Sequence, residues 1–126
     1  MLRNILIVGT GGFIGTAMRY LVQVQVEKLM GSTFPLGTFL VNIAGSLIIG
    51  IVYGLAERGN ILGPEWRLFL AVGLCGGFTT FSTFSADTLN LLKDNSIIQL
   101  LSYTGGSVLL GLLSVYVGLI LARSVF

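Results

Sequence analysis

Charged residues are absent from long stretches of the chain, and these stretches set the predicted elements. Residues 29–56, 68–86 and 95–122 contain no Asp, Glu, Lys or Arg, and residues 4–26 contain only Arg19. An α-helix needs about 20 predominantly apolar residues to cross ~30 Å of hydrocarbon. We therefore predict four membrane-spanning helices, over residues 4–27, 35–57, 65–93 and 97–123.

Glycines, prolines and polar residues fall where the predicted helices should end. The capping residues Ser32 and Thr33 precede Pro35, and Gly63 precedes Pro64. Both prolines suit the first turn of a helix. The polar segments 57–60 and 93–96 close the second and third spans. Because these connections are short, we expect consecutive helices to be antiparallel neighbours.

The composition indicates a surface that faces lipid. Hydrophobic residues make up 54% of the chain and charged residues 10%, with a mean hydropathy of +0.94. A soluble protein needs a surface with roughly 25–35% charged residues. We therefore expect one integral, multi-pass domain over residues 1–126, in contact with the lipid bilayer of the cell membrane (inner or plasma membrane).

Several classes of function are disfavoured by what the sequence lacks. It has no His, the commonest general base and metal ligand, and no pair of mid-membrane carboxylates for acid–base work. The single cysteine, Cys75, excludes a disulfide within the chain and a cysteine-cluster metal site. The net charge of +2 is too small to indicate nucleic-acid binding. We expect neither an enzyme nor a nucleic-acid partner.

Positive charges are nearly balanced between the two ends of the predicted bundle. An even number of spans places both termini on one side. The arginines expected on that side are Arg3, Arg58, Arg67 and Arg123. The other side holds Lys28 and Lys93, and Arg19 if its side chain reaches that interface. This weak bias slightly favours a cytoplasmic N-terminus, and it permits insertion in both orientations.

The glycine run in residues 5–15 admits two interpretations. An apolar segment before a Gly-rich turn is typical of dinucleotide binding, with an acidic residue about 20 positions on, near Glu27. That motif needs a strand, a turn and a helix, whereas this run lies inside a predicted membrane span. We prefer close helix packing, since small residues let backbones approach in lipid. The packing face would carry Gly12, Thr16, Arg19 and Gln23.

Two further stripes follow the second and fourth helices. The second helix carries Thr38, Asn42, Ser46, Ile49 and Tyr53 on one face. The Asn42 amide must find partners in the membrane, either across helices or as a donor that faces a pore. One turn after Tyr103, the fourth helix carries Ser107, Gly111, Ser114, Gly118 and Ala122. So long a small-residue seam indicates packing against another helix, which a homodimer would supply.

The densest chemistry lies in the decapeptide Gly-Gly-Phe-Thr-Thr-Phe-Ser-Thr-Phe-Ser, which begins at Gly76. Adjacent glycines weaken a helix by about 1 kcal/mol each, so we predict that the third helix breaks at Gly76 and Gly77 and then restarts. A break frees main-chain carbonyls, which coordinate cations in the unwound helices of transporters. Beyond the break, Phe81 and Phe84 share one face, with Phe78 one turn earlier.

This decapeptide resembles the signature of the Fluc (CrcB) family of microbial fluoride channels. The resemblance extends to the chain length, the four spans, the segment Gly-Thr-Phe-Leu-Val-Asn at 37–42, and Arg19 in the first helix. It implies an all-α membrane protein with a break in the third helix, assembled as a dual-topology, antiparallel homodimer with two fluoride pores. The implied role is passive export of fluoride from the cytoplasm, and hence resistance to fluoride toxicity.

The resemblance also implies which residues form the site. The fluoride path would be lined by Asn42, Phe81, Phe84, Thr38, Ser82, Thr83, Tyr103 and Ser107. A structural sodium ion at the centre of the dimer would be held by the main-chain carbonyls of Gly76 and Thr79. Arg19 would lie near a pore mouth.

These residue types suit an anion that must give up its water. Hydroxyl and amide groups donate hydrogen bonds, and a phenylalanine ring has a positive edge. Conduction needs several weak sites, which ring edges supply without a fixed positive charge. Two alternatives remain open: a proton-coupled exporter that depends on Asp87, and a non-conducting accessory subunit in which every stripe serves packing.

Overall fold

A computed structural model describes residues 1–31, 33–59 and 61–125. Its helices are α1 (Leu2–Met30), α2 (Leu36–Glu57), α3 (64–78), α4 (Phe81–Lys93) and α5 (Ile97–Val125). Within α3, Leu68–Cys75 is π-helical, and Pro64–Arg67 and Gly76–Phe78 are α-helical. Because α3 and α4 together form one span, the described chain contains four helical spans long and apolar enough to cross a membrane. The four predicted spans are confirmed.

Two of the predicted helix ends carry the expected signals. Pro64 takes the first position of α3 after the extended residue Gly63. Helix α4 ends at Lys93, and two residues later Asn95 is left-handed, with a φ of 57°. The Ser96 N–H then donates to the Leu91 carbonyl over 3.0 Å, which is the usual hydrogen bond of a left-handed C-terminal cap. The tight polar turn predicted between the last two helices is confirmed.

The start of α2 differs from the prediction. The helix follows Pro35 and has no side-chain cap. The Thr33 hydroxyl instead donates to Gln99 Oε1 over 3.0 Å, so the capping role predicted for Thr33 is wrong. Ser32, the other predicted capping residue, lies outside the described residues. Tertiary contact with the start of α5 thus takes precedence over the local capping preference.

Helices α2 and α5 form the most extensive helix pair. Their main chains meet at small residues: Gly118 packs on the Leu47 carbonyl, and a Cβ added at Gly54 would lie 2.5 Å from the Ala122 Cβ. The predicted small-residue seam of α5 is therefore covered by α2 of the same chain. The seam does not by itself require a second copy, because its packing partner is already present.

Helix α1 packs equally closely on the π-helical part of α3. A Cβ added at Gly11 would lie 2.6 Å from the Phe69 carbonyl oxygen, and one at Gly73 would lie 2.8 Å from the Val8 carbonyl oxygen. The packing interpretation of the glycine run in α1 is confirmed, but the buried residues of this helix are Gly11 and Gly15, and the predicted residues Gly12 and Thr16 lie beside them against Gly77. The dinucleotide interpretation is wrong, because the run lies within one continuous helix, where that motif needs a strand and a turn.

The third span breaks two residues later than predicted. Gly76 and Gly77 stay helical, whereas Thr79 and Thr80 are extended, with ψ angles of 160° and 118°. The predicted break at the two glycines is wrong because Gly77 serves close packing. A Cβ there would lie 2.5 Å from the Gly12 carbonyl oxygen of α1. Glycines in membrane helices often lie where the backbones of two helices approach closely.

Charged side chains pair at the end of the bundle that carries both termini. Arg3 lies 2.7 Å from Glu65, and Arg123 lies 3.0 Å from Glu57. The Arg58 guanidinium donates to the Arg123 carbonyl. These contacts confirm that the start of α1 lies beside the start of α3, and the end of α2 beside the end of α5.

Large apolar side chains cover the outside of the bundle. Phe13 on α1 is 76% exposed and Ile98 on α5 is 82% exposed, whereas fully buried side chains such as Val41 are few. Such a surface is stable only against an apolar environment. The fold is therefore that of a multi-pass membrane protein.

Candidate functional site: the break in the third span

Two adjacent threonines end α3 and begin α4. The N–H and the hydroxyl of Thr79 both donate to the Cys75 carbonyl, over 2.9 and 2.8 Å, and α3 ends there. The Thr80 hydroxyl accepts the Thr83 N–H over 3.1 Å and caps the first turn of α4. Thr80 therefore caps the helix that follows the break, whereas Thr79 makes the bond to the carbonyl four residues earlier that Thr10 and Thr88 also make within continuous helices.

The amide of Asn42, on α2, pairs with the main chain of Thr80. Its Oδ1 accepts the Thr80 N–H over 2.8 Å, and its Nδ2 donates to the Thr80 carbonyl over 3.2 Å. The Asn42 amide thus pairs with both the N–H and the C=O of an extended residue, as a residue on a neighbouring β-strand does. Of the two interpretations of Asn42, the bond across helices is thus confirmed. The second Nδ2 hydrogen is not used by this pairing.

The guanidinium of Arg19, on α1, binds the other side of the break. Its Nε donates to the Gly77 carbonyl over 2.9 Å, in a partly buried position. In a continuous helix this carbonyl would accept from the N–H of Phe81, and the break removes that donor. Arg19 therefore replaces a lost helical hydrogen bond.

Three other carbonyls at the break have no such partner. The oxygens of Gly76, Phe78 and Thr79 accept none of the hydrogen bonds found in the described part of the chain. The helical donor for Gly76 would be the Thr80 N–H, which Asn42 has taken. Neutral oxygens of this kind suit a hard cation such as sodium. The described residues contain no cluster of His, Cys, Asp or Glu that could hold a metal.

Phe81 and Phe84 border an open groove of about 420 Å³ beside the break. Their ring centroids lie 5.8 Å apart with the planes inclined at 45°, and Phe81 is 79% exposed. The polar residues that line the same groove are Asn42, Ser46, Thr79, Thr80 and Ser107. The groove thus combines aromatic rings with hydroxyl and amide groups, and none of its lining residues is acidic.

The hydroxyl of Ser107 is buried in the wall of this groove. Among the described residues it is a buried side-chain oxygen without a hydrogen-bond partner. An unsatisfied buried polar group costs about 1–3 kcal/mol. The Ser107 hydroxyl is therefore a hydrogen-bonding group at the groove that no described residue satisfies.

A second cavity, of about 410 Å³, lies between the second half of α1, the start of α2 and the first half of α4. Its polar lining residues are Tyr20, Gln23, Glu27, Thr38, Thr83 and Asp87. Tyr103 lies between this cavity and the groove, fully buried, with its ring centroid 5.1 Å from that of Phe84. Its hydroxyl donates to Asp87 Oδ2 over 3.1 Å, so its hydrogen is directed to a carboxylate.

Comparison with known proteins identifies the family. Residues 6–119 match the model of the family described as CrcB-like protein, Camphor Resistance (CrcB). The chain belongs to the CrcB family. It is 42% identical over 122 residues to a protein of Flavobacterium psychrophilum, with 97% of this chain and 98% of the relative covered. It is 43% identical over 124 residues to one from a Caulobacter species, with 98% and 97% covered.

Both relatives of this CrcB-family chain are named fluoride-specific ion channel FluC. A relative from Chlorobaculum tepidum, 43% identical over 123 residues, has the same name, with 98% of this chain and 97% of the relative covered. These names describe a channel, which agrees with the expectation that the chain is not an enzyme.

The structure brings together most, but not all, of the residues predicted for the site of this CrcB-family chain. The groove holds Asn42, Phe81, Phe84, Ser107, Gly76 and Thr79, and the second cavity holds Thr38 and Thr83. Ser82 lines neither space and is exposed, with its Oγ 3.3 Å from Thr80 Oγ1. Phe78 is buried and does not share the exposed face of Phe81.

Sequence reasoning missed two residues at the site. Thr80 anchors the break through its main chain and caps α4, and a Thr directly before the first residue of a helical segment was an available capping signal. Asp87 entered only as the basis of the exporter alternative, yet it accepts the Tyr103 hydroxyl. Its partner lies 16 positions away on another helix, so no local pattern indicates the pair.

Proposed function

We propose that this chain is the subunit of a fluoride-selective ion channel that lets fluoride leave the cytoplasm passively. The observation that carries the proposal is its similarity, over nearly its whole length, to proteins named fluoride-specific ion channel FluC. The chemistry of the groove supports it. A small, strongly hydrated anion needs hydrogen-bond donors in place of water, and the groove offers the Ser107 hydroxyl and the remaining Asn42 N–H.

The two phenylalanines supply the apolar part of the path. A ring edge carries partial positive charge, so rings turned edge-on stabilise an anion weakly. Helix α4 begins at Phe81, and the positive end of its dipole lies beside the groove. Several weak contacts in series suit conduction better than one strong cationic site. Thr38 and Thr83 would continue the path into the second cavity, and the exposed Ser82 hydroxyl would join it through the partner.

The working assembly in this proposal is an antiparallel homodimer with two pores. The groove is open on one side and leaves Phe81 79% exposed, so a single chain does not enclose an ion path. A second copy would supply the missing wall. The near-balance of positive charge between the two ends permits the opposite orientations that an antiparallel dimer needs.

A structural sodium ion fits the carbonyls left at the break. The carbonyl oxygens of Gly76 and Thr79 are neutral potential metal ligands, and they accept no hydrogen bond in the described chain. Two copies of the chain would offer four such oxygens. A bound sodium ion would supply positive charge shared between the subunits. In this proposal Gly76 and Thr79 act through their main chain, and the ion stabilises the dimer.

Fluoride efflux from liposomes tests the function. Purified protein is reconstituted in potassium fluoride vesicles, valinomycin is added, and released fluoride is followed with a selective electrode. We expect fast fluoride release and no matching chloride release from chloride-loaded vesicles. Absence of fluoride release from well-folded protein would contradict the proposal. In a cell, a negative interior would drive the anion out through such a channel in the inner or plasma membrane, which would confer fluoride resistance.

A further inference from the structure

The fixed shape of a span that is broken within the membrane needs an explanation of its own. Thr79 and Thr80 belong to neither helix, and backbone groups in hydrocarbon must find partners within the protein. Helix α4 packs chiefly on α5 and makes few contacts with the other helices. These contacts therefore do little to fix the orientation of α4 with respect to α3. The Thr79 side chain packs against Gly45 of α2, but packing does not satisfy main-chain polar groups, so the extended pair also needs hydrogen-bonding partners.

Two side chains from other helices bind the main chain on either side of this pair. Arg19 on α1 holds the Gly77 carbonyl over 2.9 Å, and Asn42 on α2 holds both polar groups of the Thr80 peptide. The two contacts come from separate elements and lie 58 and 38 positions away along the chain. Together they fix the direction in which the chain leaves α3 and enters α4.

Arg19 does not line the groove or the second cavity. Its guanidinium is partly buried, and its Nε is bound to a carbonyl rather than directed at an open space. A charge that served to attract an anion would be expected to border the ion path. The position of Arg19 therefore favours a role through its hydrogen bond.

We propose that Arg19 and Asn42 are positioning residues that hold the break in its extended conformation, and that Arg19 acts through the Nε hydrogen bond rather than through its charge. The proposal rests on the proposed channel function only where conduction is measured. Its structural part, that these two side chains fix residues 79 and 80, stands independently of the ion conducted.

The chemistry of the side chains offers a matched pair of variants. In Arg19→Gln, a nitrogen donor is bonded to Cδ, where arginine has Nε, and the charge is gone. In Arg19→Lys, the charge stays but a methylene group occupies that position. A hydrogen-bonding role predicts that Gln preserves the break and Lys does not, and an electrostatic role predicts the reverse.

Hydrogen–deuterium exchange of the purified protein gives the first readout, which needs no conduction. We expect main-chain amides at 79–83 to exchange roughly tenfold faster in Arg19→Lys and at the unsubstituted rate in Arg19→Gln, since the hydrogen bond to the Gly77 carbonyl is lost in the former and kept in the latter. Arg3→Gln and Arg3→Lys are the controls. Arg3 lies near the start of α1, paired with Glu65 at the far end, and neither change should alter exchange at 79–83.

Fluoride efflux gives the second readout: we expect Arg19→Gln to conduct within a few fold of the unsubstituted chain and Arg19→Lys to fall roughly tenfold. Unchanged exchange at 79–83 in both variants, or rapid exchange in the Gln variant alone, would overturn the proposal.

Should neither variant elute as folded protein, exchange in Asn42→Asp tests the proposal. Because it keeps the acceptor for the Thr80 N–H but loses the donor to the Thr80 carbonyl, we expect faster exchange at 81–83, and unchanged exchange at 81–83 would equally overturn the proposal. A chain that shows the expected exchange pattern but releases no fluoride would contradict the channel function and leave the positioning role intact.

Discussion

Single side chains replace main-chain partners at the break. Thr79 and Thr80 end one helix and cap the next, and Arg19 and Asn42 take up backbone groups that a continuous helix would have satisfied internally. What these bonds leave unpaired is as informative as what they pair. The free carbonyls and the Ser107 hydroxyl are groups to which ions could bind.

The ring edge of Phe84 is predicted to contribute to conduction. Phe84→Leu keeps an apolar side chain but removes the aromatic edge, so we expect fluoride efflux to fall roughly tenfold, equivalent to about 1.4 kcal/mol. The matched control is Phe13→Leu, at a position on α1 that is 76% exposed and away from the groove. Equal efflux rates for the two variants would exclude a role for the ring in the path.

Thr79 is predicted to act on sodium through its carbonyl alone. Thr79→Ala removes the hydroxyl bond to Cys75, which should lower the free energy of unfolding by about 1 kcal/mol, and it leaves the carbonyl in place. Fluoride efflux measured against sodium concentration should show the same sodium dependence in Thr79→Ala and Thr79→Ser. Loss of that dependence in the Ala variant only would show that the side chain takes part.

Asp87 separates a channel from a proton-coupled exporter. Asp87→Asn removes the titratable carboxyl but keeps an oxygen that can accept the Tyr103 hydroxyl. Because a passive channel needs no proton carrier, we expect the variant still to conduct fluoride in efflux measurements with and without a pH gradient. A pH-driven flux in the unsubstituted chain that the variant loses would favour the exporter.

At the scale of helices, glycines set how closely the elements approach. The π-helical part of α3 lies against α1 at Gly11 and Gly73, and α2 meets α5 at Gly54 and Gly118. Close approach increases van der Waals contact, which is the main source of helix association in lipid. The glycines thus stabilise the bundle rather than loosen it.

Two glycines only two positions apart on α1 should respond in opposite ways to alanine. In Gly11→Ala the new Cβ would lie 2.6 Å from the Phe69 carbonyl oxygen, and we expect a loss of about 1–3 kcal/mol in stability. In Gly9→Ala nothing lies within 4 Å, and the better helix propensity should raise stability by up to about 1 kcal/mol. Thermal unfolding in detergent measures both, and equal shifts would contradict the packing argument.

At the scale of the whole molecule, the chain is a four-span bundle with an open groove at the break. Ion pairs such as Arg3–Glu65 link helices at the end that carries both termini, while the groove at the break is open on one side. The near-equal distribution of positive charge gives the membrane little reason to prefer one orientation. An open groove and balanced charge are both consistent with two chains that face each other in opposite orientations.

Labelling of a single introduced cysteine tests the orientation. Thr33→Cys lies in the exposed connection between α1 and α2, whereas the native Cys75 is only 3% exposed and should not react. In intact cells a membrane-impermeant maleimide should label roughly half of the chains, since neither orientation is strongly favoured. The unsubstituted chain gives the background. Labelling of all chains, or of none, would contradict dual topology.

The sequence by itself determined the spans and the family, and it indicated which segment carries the break. Charge-free stretches of membrane length have one stable outcome in lipid, because each backbone polar group must be satisfied within a helix or a closed barrel. The same local logic marked the decapeptide from Gly76 as a break, since clustered glycines and hydroxyls are unusual within a membrane helix. Both features depend only on residues that are neighbours along the chain, so the sequence is enough to recognise them.

Only the tertiary structure decided where the break falls and what holds it. The glycines at 76 and 77 read alike in the sequence, but Gly77 is fixed by the carbonyl of Gly12, and the extended residues are Thr79 and Thr80. The long-range hydrogen bonds at the break also depend on tertiary structure. The placement of the helices decides which distant side chain reaches a freed backbone group. Local propensity sets where a helix can end, and packing against the other helices sets where it does.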